Sequence, residues 1–201
     1  MPLQNRVLPT GDIAATSARG TLTGNRGILP FDHRGHLGTR RWTHHAWITC
    51  TLDHPRGRYH GPQPKNAWTP LFFLDEAVAL AAGHRPCGYC RRKAFNAYKA
   101  ALGMSRASDM DRALHRARVS RNRQQVTHEV EACRLPDWTF IRHEGAPWLL
   151  HGGFVRRFSP EGYSETAPRP SGDVTVLTPA PSVAALAGGY APLLHPSVTG
   201  C

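Results

Sequence analysis

Lysine is almost missing from this chain: 3 Lys stand against 22 Arg in 201 residues. Acidic residues are also scarce, 14 against 25 basic ones, leaving a net charge of +11. That imbalance excludes an acid-dominated surface and favours polyanionic partners, chiefly nucleic acid or acidic membrane. An Ala-, Arg-, Gly- and Pro-rich composition also follows from a GC-rich genome, so charge alone does not separate the two origins. Long apolar runs are missing: the longest, Ala77 to Ala82, is far short of the about 18 residues a membrane-spanning helix needs. The opening segment MPLQNRVLPTGDIAATSARG has no apolar stretch of the secretory kind, and the reading is a cytoplasmic protein with reduced thiols and no membrane partner. Five cysteines, an odd number, argue against a disulfide framework. There is no phosphate-binding G-x-x-x-x-G-K-[ST] loop, no dinucleotide fingerprint, no G-x-S-x-G elbow, no ordered nuclease signature, no internal repeat and no heptad pattern.

What is present is loop-forming residues, 19 Gly and 17 Pro, around a modest apolar fraction of 40%. Residues 1–41 read as a basic, Gly/Arg-rich N-terminal segment with weak periodicity and a turn at Gly24-Asn25-Arg26-Gly27. WTHHAWITCTL, residues 42–52, is the best strand, with Trp42, His44, Ala46, Ile48, Cys50 and Leu52 on one face. Residues 53–70 form a Pro-rich loop. Leu71 to Leu74 is a short apolar strand, Asp75 an N-cap, and the helix behind it ends at Ala82 before Gly83. Arg91 to Leu102 reads as a helix with Ala94, Phe95, Tyr98 and Leu102 on one face, and Ser108 caps another running to Val119. Beyond Leu135 the pattern turns to β: Phe140-Ile141 and Trp148 to Leu150 flank a turn at His143-Glu144-Gly145. Phe154 to Phe158 follows, then a Pro-rich loop over residues 159–172, a strand from Val174 to Leu177, and a short helix capped by Ser182.

The chemistry-bearing motif is His84-Arg85-Pro86-Cys87-Gly88-Tyr89-Cys90. Two thiolates separated by two residues can take one edge of a tetrahedral metal site. Gly88 is expected to permit the turn and Pro86 to stiffen it. Arg85, Arg91, Arg92 and Lys93, with the following helix N-terminus, would favour the thiolate form. A redox dithiol and two incidental cysteines are the competing readings. One such pair is half a site, so two further ligands must come from elsewhere. Cys50, the only upstream cysteine, is taken as the third; the fourth is His84, His60, His54 or His115.

The run LFFLDEAVALAAGHRPCGYCRR, Leu71 to Arg92, resembles the second half of the zinc-binding domain that opens the Ada DNA alkylation-repair proteins. That pattern is an aromatic strand, a capped Ala-rich helix, and Gly-aromatic-Arg-Pro-Cys-x-x-Cys. Cys87 and Cys90 match its second ligand pair. The resemblance covers about a tenth of the chain, and its first half departs: Tyr59-His60-Gly61-Pro62 faintly echoes the family's ligand loop, but Pro64 stands where the second ligand belongs, and His84 replaces the aromatic. The resemblance implies zinc and, with Cys50 as acceptor, methyl transfer from a DNA phosphotriester. The family's helix-turn-helix and Pro-Cys-His-Arg motifs are absent from this sequence.

Arg112, Arg116 and Arg123, with Arg118 and Arg121 beside them, form a stripe suited to tracking phosphates or to simple solvation. Trp42, Trp47, Trp68 and Tyr59 suit base stacking or packing. His115 or His128 with Glu129 or Glu131 could serve a nuclease. These readings converge on an α+β protein. A small zinc-stabilised α/β lobe (42–104) is followed by a basic helix and linker (105–134) and a C-terminal antiparallel β meander (135–201). Its expected role is zinc-containing nucleic-acid binding, DNA before RNA. Metal ligands are Cys50, Cys87, Cys90 and His84, and phosphate contacts are Arg85, Arg91, Arg92, Arg116, Arg121 and Arg123. The alternative is an enzyme, either a zinc-thiolate alkyl acceptor or a metal-dependent nuclease.

Overall fold

The computed structural model describes residues 1–53 and 67–199. It is a mixed α+β fold with two six-stranded sheets and four α-helices among the described residues. The first sheet is built from β1 (Gln4–Val7), β2 (Ile13–Ala15), β3 (Leu22–Asn25), β4 (Ile48–Thr51), β5 (Leu71–Phe73) and β6 (Arg85–Pro86), in the order β2-β1-β5-β3-β4-β6. Helices α1 (Glu76–Ala81), α2 (Arg92–Ala101) and α3 (Ala107–Arg118) follow or interrupt it. The second sheet holds β7 (His128–Glu131), β8 (Phe140–His143), β9 (Ala146–His151), β10 (Phe154–Ser159), β11 (Gly162–Pro168) and β12 (Asp173–Val176), in the order β11-β10-β9-β8-β12-β7. Helix α4 (Ala180–Ala187) follows.

Helix α1 lies at the junction. Its six residues are all buried, which is possible because five of them are Ala, Val or Leu and Asp75 caps its start. Val78 N–H donates to Asp75 Oδ1 at 3.0 Å. Ala79 joins Val7, Leu22, Leu71 and Phe73 in the core of the first sheet. Ala77, Val78 and Ala81 instead join Phe140, Leu149 and Leu177 of the second. Leu80 packs with Phe95, Tyr98 and Met110, the faces of α2 and α3, and with Ala185 and Leu186 of α4. Gly83 ends the segment at φ +80°, a conformation open to glycine at little cost.

Several expectations are corrected. The strand at Trp42 to Leu52 is only four residues long. Trp47 donates its indole N–H to His44 O at 3.1 Å and its backbone N–H to His45 O at 3.0 Å, so the chain bends here rather than extending. Residues 1–41, read as a basic Gly/Arg-rich segment of weak periodicity, supply β1, β2 and β3 and the core residues Val7, Ile13, Leu22, Leu29 and Leu37. The expected loop at 159–172 contains β11, which pairs with β10 at the sheet edge and ends at Pro168, where a missing N–H costs no ladder bond. Helix α3 starts at Ala107 without a side-chain cap from Ser108. Ser182 lies inside α4 and hydrogen-bonds the Tyr98 hydroxyl at 3.1 Å.

Candidate metal centre

Strands β4 and β6 run parallel, with Ile48 opposite Arg85 and Thr49 opposite Pro86. The next step along both strands brings Cys50 beside Cys87. The Cys87 N–H donates to Thr49 O at 2.9 Å, which fixes that register. The chain then turns: Arg91 N–H donates to Cys87 O at 3.1 Å, and α2 begins at Arg92. The turn swings Cys90 back, so the Sγ atoms of Cys50, Cys87 and Cys90 all lie within 4.8 Å of one another. Tetrahedral zinc with Zn–S bonds of about 2.3 Å places sulfurs about 3.8 Å apart, so the donors fit a metal ion with small adjustments. They form the single group of three or more potential metal ligands among the described residues.

The surroundings favour negative sulfur. The backbone N–H groups of Tyr89 (3.4 Å) and Cys90 point at Cys87 Sγ, and that of Thr51 points at Cys90 Sγ. A hydrogen bond from Cys50 holds the Cys87 thiol well below the usual thiol range, and the same contact pushes Cys50 up; burial pushes Cys90 up. These contacts favour the thiolate form at Cys87, and a cation would displace the remaining thiol protons. Gly88 is not forced by backbone geometry: it has no positive φ, and a Cβ there would meet only the Phe95 ring at 3.5 Å.

Two buried ion pairs bracket the turn. Arg85 grips Asp111 of α3 through Nε–Oδ1 at 2.7 Å and Nη2–Oδ2 at 2.9 Å. Arg91 grips Glu76 of α1 through Nη1–Oε1 and Nη2–Oε2, both 2.7 Å, and also reaches Thr49 Oγ1 at 3.0 Å. Glu76 additionally accepts from the Tyr190 hydroxyl at 2.6 Å and from Leu193 N–H at 2.8 Å. The expectation that Arg85 and Arg91 meet phosphate is thus corrected. Both guanidinium groups are spent on carboxylates inside the fold, where planar bidentate geometry is strongest. Arg92, Arg116, Arg121 and Arg123 are exposed.

His84 is corrected as a ligand as well. It is fully buried against Trp47 (ring centroids 5.2 Å apart) and Phe73 (4.7 Å), and its Nε2 accepts from Arg26 Nε at 3.3 Å. It is therefore a packing histidine. His115 stacks on His45 with centroids 3.8 Å apart and contacts Arg118 through Nδ1, away from the sulfurs. His54 and His60, with the Tyr59–Pro64 stretch, lie outside the described residues. His128, Glu129 and Glu131 sit along β7, with Glu129 accepting from Thr175 and Glu131 paired to Arg134, so they do not gather as a nuclease centre.

No motif in the sequence marks the partners of Trp47. The guanidinium carbons of Arg26 and Arg118 lie over its two-ring system at 3.9 and 3.7 Å. Burial pushes these arginines down to about 9 and about 8, so both are cations at neutral pH. Arg26 had been visible only as part of a turn, and no local pattern marks a residue that packs against Trp47 from so far along the chain. No protein family, curated protein or solved structure matches the chain.

Proposed function

We propose that the chain is a zinc-thiolate protein that binds nucleic acid, DNA before RNA, with the metal clasping β4 to the turn before α2. The observation that carries the reading is the convergence of Cys50, Cys87 and Cys90 within 4.8 Å. Three sulfurs, two of them in a backbone N–H-rich turn, suit zinc, the usual occupant of thiolate-rich tetrahedral sites. The ion would replace the remaining thiol protons and bind a strand to a helix start, a contribution that counts directly toward folding. A net charge of +11 and the exposed Arg92, Arg116, Arg121 and Arg123 support a phosphate-rich partner.

Metal analysis of the purified chain tests the first half. One zinc per chain is expected, abolished by Cys50→Ser, Cys87→Ser or Cys90→Ser and kept in Cys133→Ser, whose thiol is exposed and apart from the cluster. A chain expressed with ample zinc yet purified metal-free removes the reading. Fluorescence anisotropy with duplex DNA tests the second half. Affinity should fall with salt at a slope of about 0.9 per phosphate neutralised, and combining Arg92→Glu, Arg116→Glu and Arg121→Glu should weaken it at least tenfold. Salt-independent or unchanged binding rejects a phosphate contact by these residues.

A zinc-thiolate alkyl acceptor is the second reading. Cys50 and Cys90 are only half-buried, and three protein ligands leave one tetrahedral position to solvent or to another group. A metal-bound sulfur would attack the methyl carbon of a phosphotriester and release the phosphodiester, forming a thioether. Intact-mass measurement after incubation with methylated DNA should then show one methyl group on one cysteine. An unmodified chain rejects this version while leaving the binding role in place.

A further inference from the structure

A cavity of about 500 Å3 opens between the loop before β2, the loop before β4 and the turn that follows α3. Arg26, Arg118 and Trp47 line its interior, and Arg41, Arg123 and Arg142 complete a set of five arginines around it. A single carboxylate, Asp12, faces this set, and its Oδ2 accepts from the Thr10 hydroxyl at 2.8 Å. The charge of the cavity is therefore strongly positive.

The two inner arginines are paired only with neutral groups. Arg26 Nη1 donates to Gly11 O at 2.9 Å and its Nε to His84, while Nη2 is buried with no partner. Arg118 donates to Gly83 O at 2.7 Å and His45 O at 2.8 Å, and its Nε is likewise buried with no partner. Neither forms an ion pair with any carboxylate of the described residues, in contrast to Arg85 and Arg91. Stacking on Trp47 orients both cations but supplies no counter-charge. Two buried like charges with no carboxylate in ion-pair contact are a costly arrangement, and an anion arriving from outside relieves it.

The cavity offers more than an anion needs. Half-buried Trp42 lines it and also an adjoining cleft of about 340 Å3 with Thr39, Arg40 and Arg41. Gln125, also lining the cavity, donates to Pro9 O and Leu177 O, while its Oε1 is buried without a partner and is free to accept. The volume falls within the range of small-molecule sites. A phosphate for the arginines, a flat ring for Trp42 and an N–H donor for Gln125 together describe a nucleotide.

We propose that this cavity binds a single nucleotide unit. Its phosphate lies against Arg26 and Arg118 with Arg41 and Arg142 closing over it, and its base stacks on Trp42. The ligand is either a free mononucleotide or a terminal or unpaired nucleotide of a strand. In the second case the site deepens the nucleic-acid role proposed above, and it rests on that reading for the rest of the strand; it is independent of the metal.

Calorimetric titration with adenosine 5′-monophosphate, adenosine, inorganic phosphate and single-stranded oligonucleotides with and without a 5′-phosphate tests this. The monophosphate should bind at least tenfold more tightly than adenosine and than inorganic phosphate. Arg142→Ala and Trp42→Ala, at exposed and half-buried positions, should each weaken it at least fivefold while leaving the circular dichroism spectrum and zinc content unchanged. Arg26→Met should abolish binding; should it not fold, the two milder variants decide the matter. Monophosphate binding without competition from oligonucleotides assigns the cavity to a free nucleotide. Mutual competition assigns it to a strand. Equal affinity for adenosine and its monophosphate, or no binding of any nucleotide at millimolar concentration, overturns the proposal. So does oligonucleotide binding that is indifferent to the monophosphate and to Arg142→Ala when the monophosphate itself does not bind. In that last case DNA binding through Arg92, Arg116 and Arg121 would stand while the cavity assignment fell.

Discussion

Replacing Glu76 with Met should destabilise the protein far more than a surface change would. Glu76 is 1% exposed, and its carboxylate takes four donors: two N–H groups of Arg91, the Tyr190 hydroxyl and the Leu193 N–H. Removal strands a guanidinium whose side chain is only 8% exposed and leaves two neutral donors unpaired. Breaking one side of a buried pair costs about 3–5 kcal/mol, and the orphaned neutral donors keep the loss toward the upper end. At about 2–4 °C per kcal/mol for a chain of this size, 4 kcal/mol corresponds to a drop in Tm of about 8–16 °C. The isosteric Glu76→Gln keeps one acceptor and the side-chain volume, so it should lose less. Arg91→Met should also lose less, because the carboxylate would retain the Tyr190 and Leu193 donors. Thermal melts followed by circular dichroism, in chelator and in excess zinc, give the order of the three. A Glu76→Met variant within 1 kcal/mol of the wild type, or one milder than Arg91→Met, would refute the claim that this carboxylate is the junction holding α1 to the cysteine turn.

Three further outcomes follow. Gly83→Ala places a Cβ 2.4 Å from Arg118 Cδ at φ +80°; the backbone cost alone is about 1–2 kcal/mol, so a Tm drop of about 4 °C or more is expected, and no change would mean that Arg118 moves freely. Chelation of the bound metal should lower Tm in proportion to its affinity, about 2.7 kcal/mol of linkage for free zinc at a hundredfold over Kd, and readdition should restore it; equal melts with and without zinc contradict a metal that fastens the fold. Acid should destabilise the protein through His84, whose pKa is held well below 6.5 by burial first and then by Arg26 and Arg118. The unfolded chain binds that proton and the folded chain does not, so stability is full above pH 6.5 and falls as pH drops below it, by up to about 1.4 kcal/mol per unit. Urea unfolding at pH 7.5, 6.5 and 5.5 should show a steeper decline for the wild type than for His84→Phe; parallel curves exclude His84 as the cause.

The parts of this fold that were legible in the sequence are those whose cause is local. Asp75 caps α1 with its own side chain, Gly83 ends it at positive φ, and Glu144 and Gly145 sit at φ 49° and 74° in the turn joining β8 to β9. The apolar spacing of Phe95 and Tyr98 marks the buried side of α2. The elements that escaped depend on distant partners. β1 is four residues long and lies between β2 and β5, with Arg6 opposite Phe72; nothing within residues 1–41 announces that position. WTHHAWITCTL has strand composition throughout, yet Trp47 is worth more as the plate on which two arginines pack than as one more strand residue, and tertiary packing overrode propensity. The sulfur cluster was readable for a specific reason: Cys87 and Cys90 are paired by spacing, and Cys50 was the only thiol upstream of them. His84 beside the same motif resembles a ligand only by adjacency, which says nothing of side-chain direction at a strand end, and here the ring points into the core.

Arginine shows most sharply where composition stops being informative. Counted together, the 22 arginines suggest one surface role, but burial divides them by what each guanidinium meets. Arg85 and Arg91 meet Asp111 and Glu76 in paired, two-pronged contacts, so each forms a neutral unit with its carboxylate, and the field they project outward is small. Arg26 and Arg118 meet carbonyl oxygens and an aromatic plate, so no contacting carboxylate cancels their charge, which is focused into a cavity walled by low-dielectric protein. Lysine could not replace either pair without loss, since an ammonium neither spans two carboxylate oxygens nor lies flat on an indole. The arginines flanking the cysteine turn brace it, while those drawn from a turn near the N-terminus and the end of α3 create the attraction for anions. Position in the fold, rather than proximity to the motif, decides which arginines are available to a phosphate.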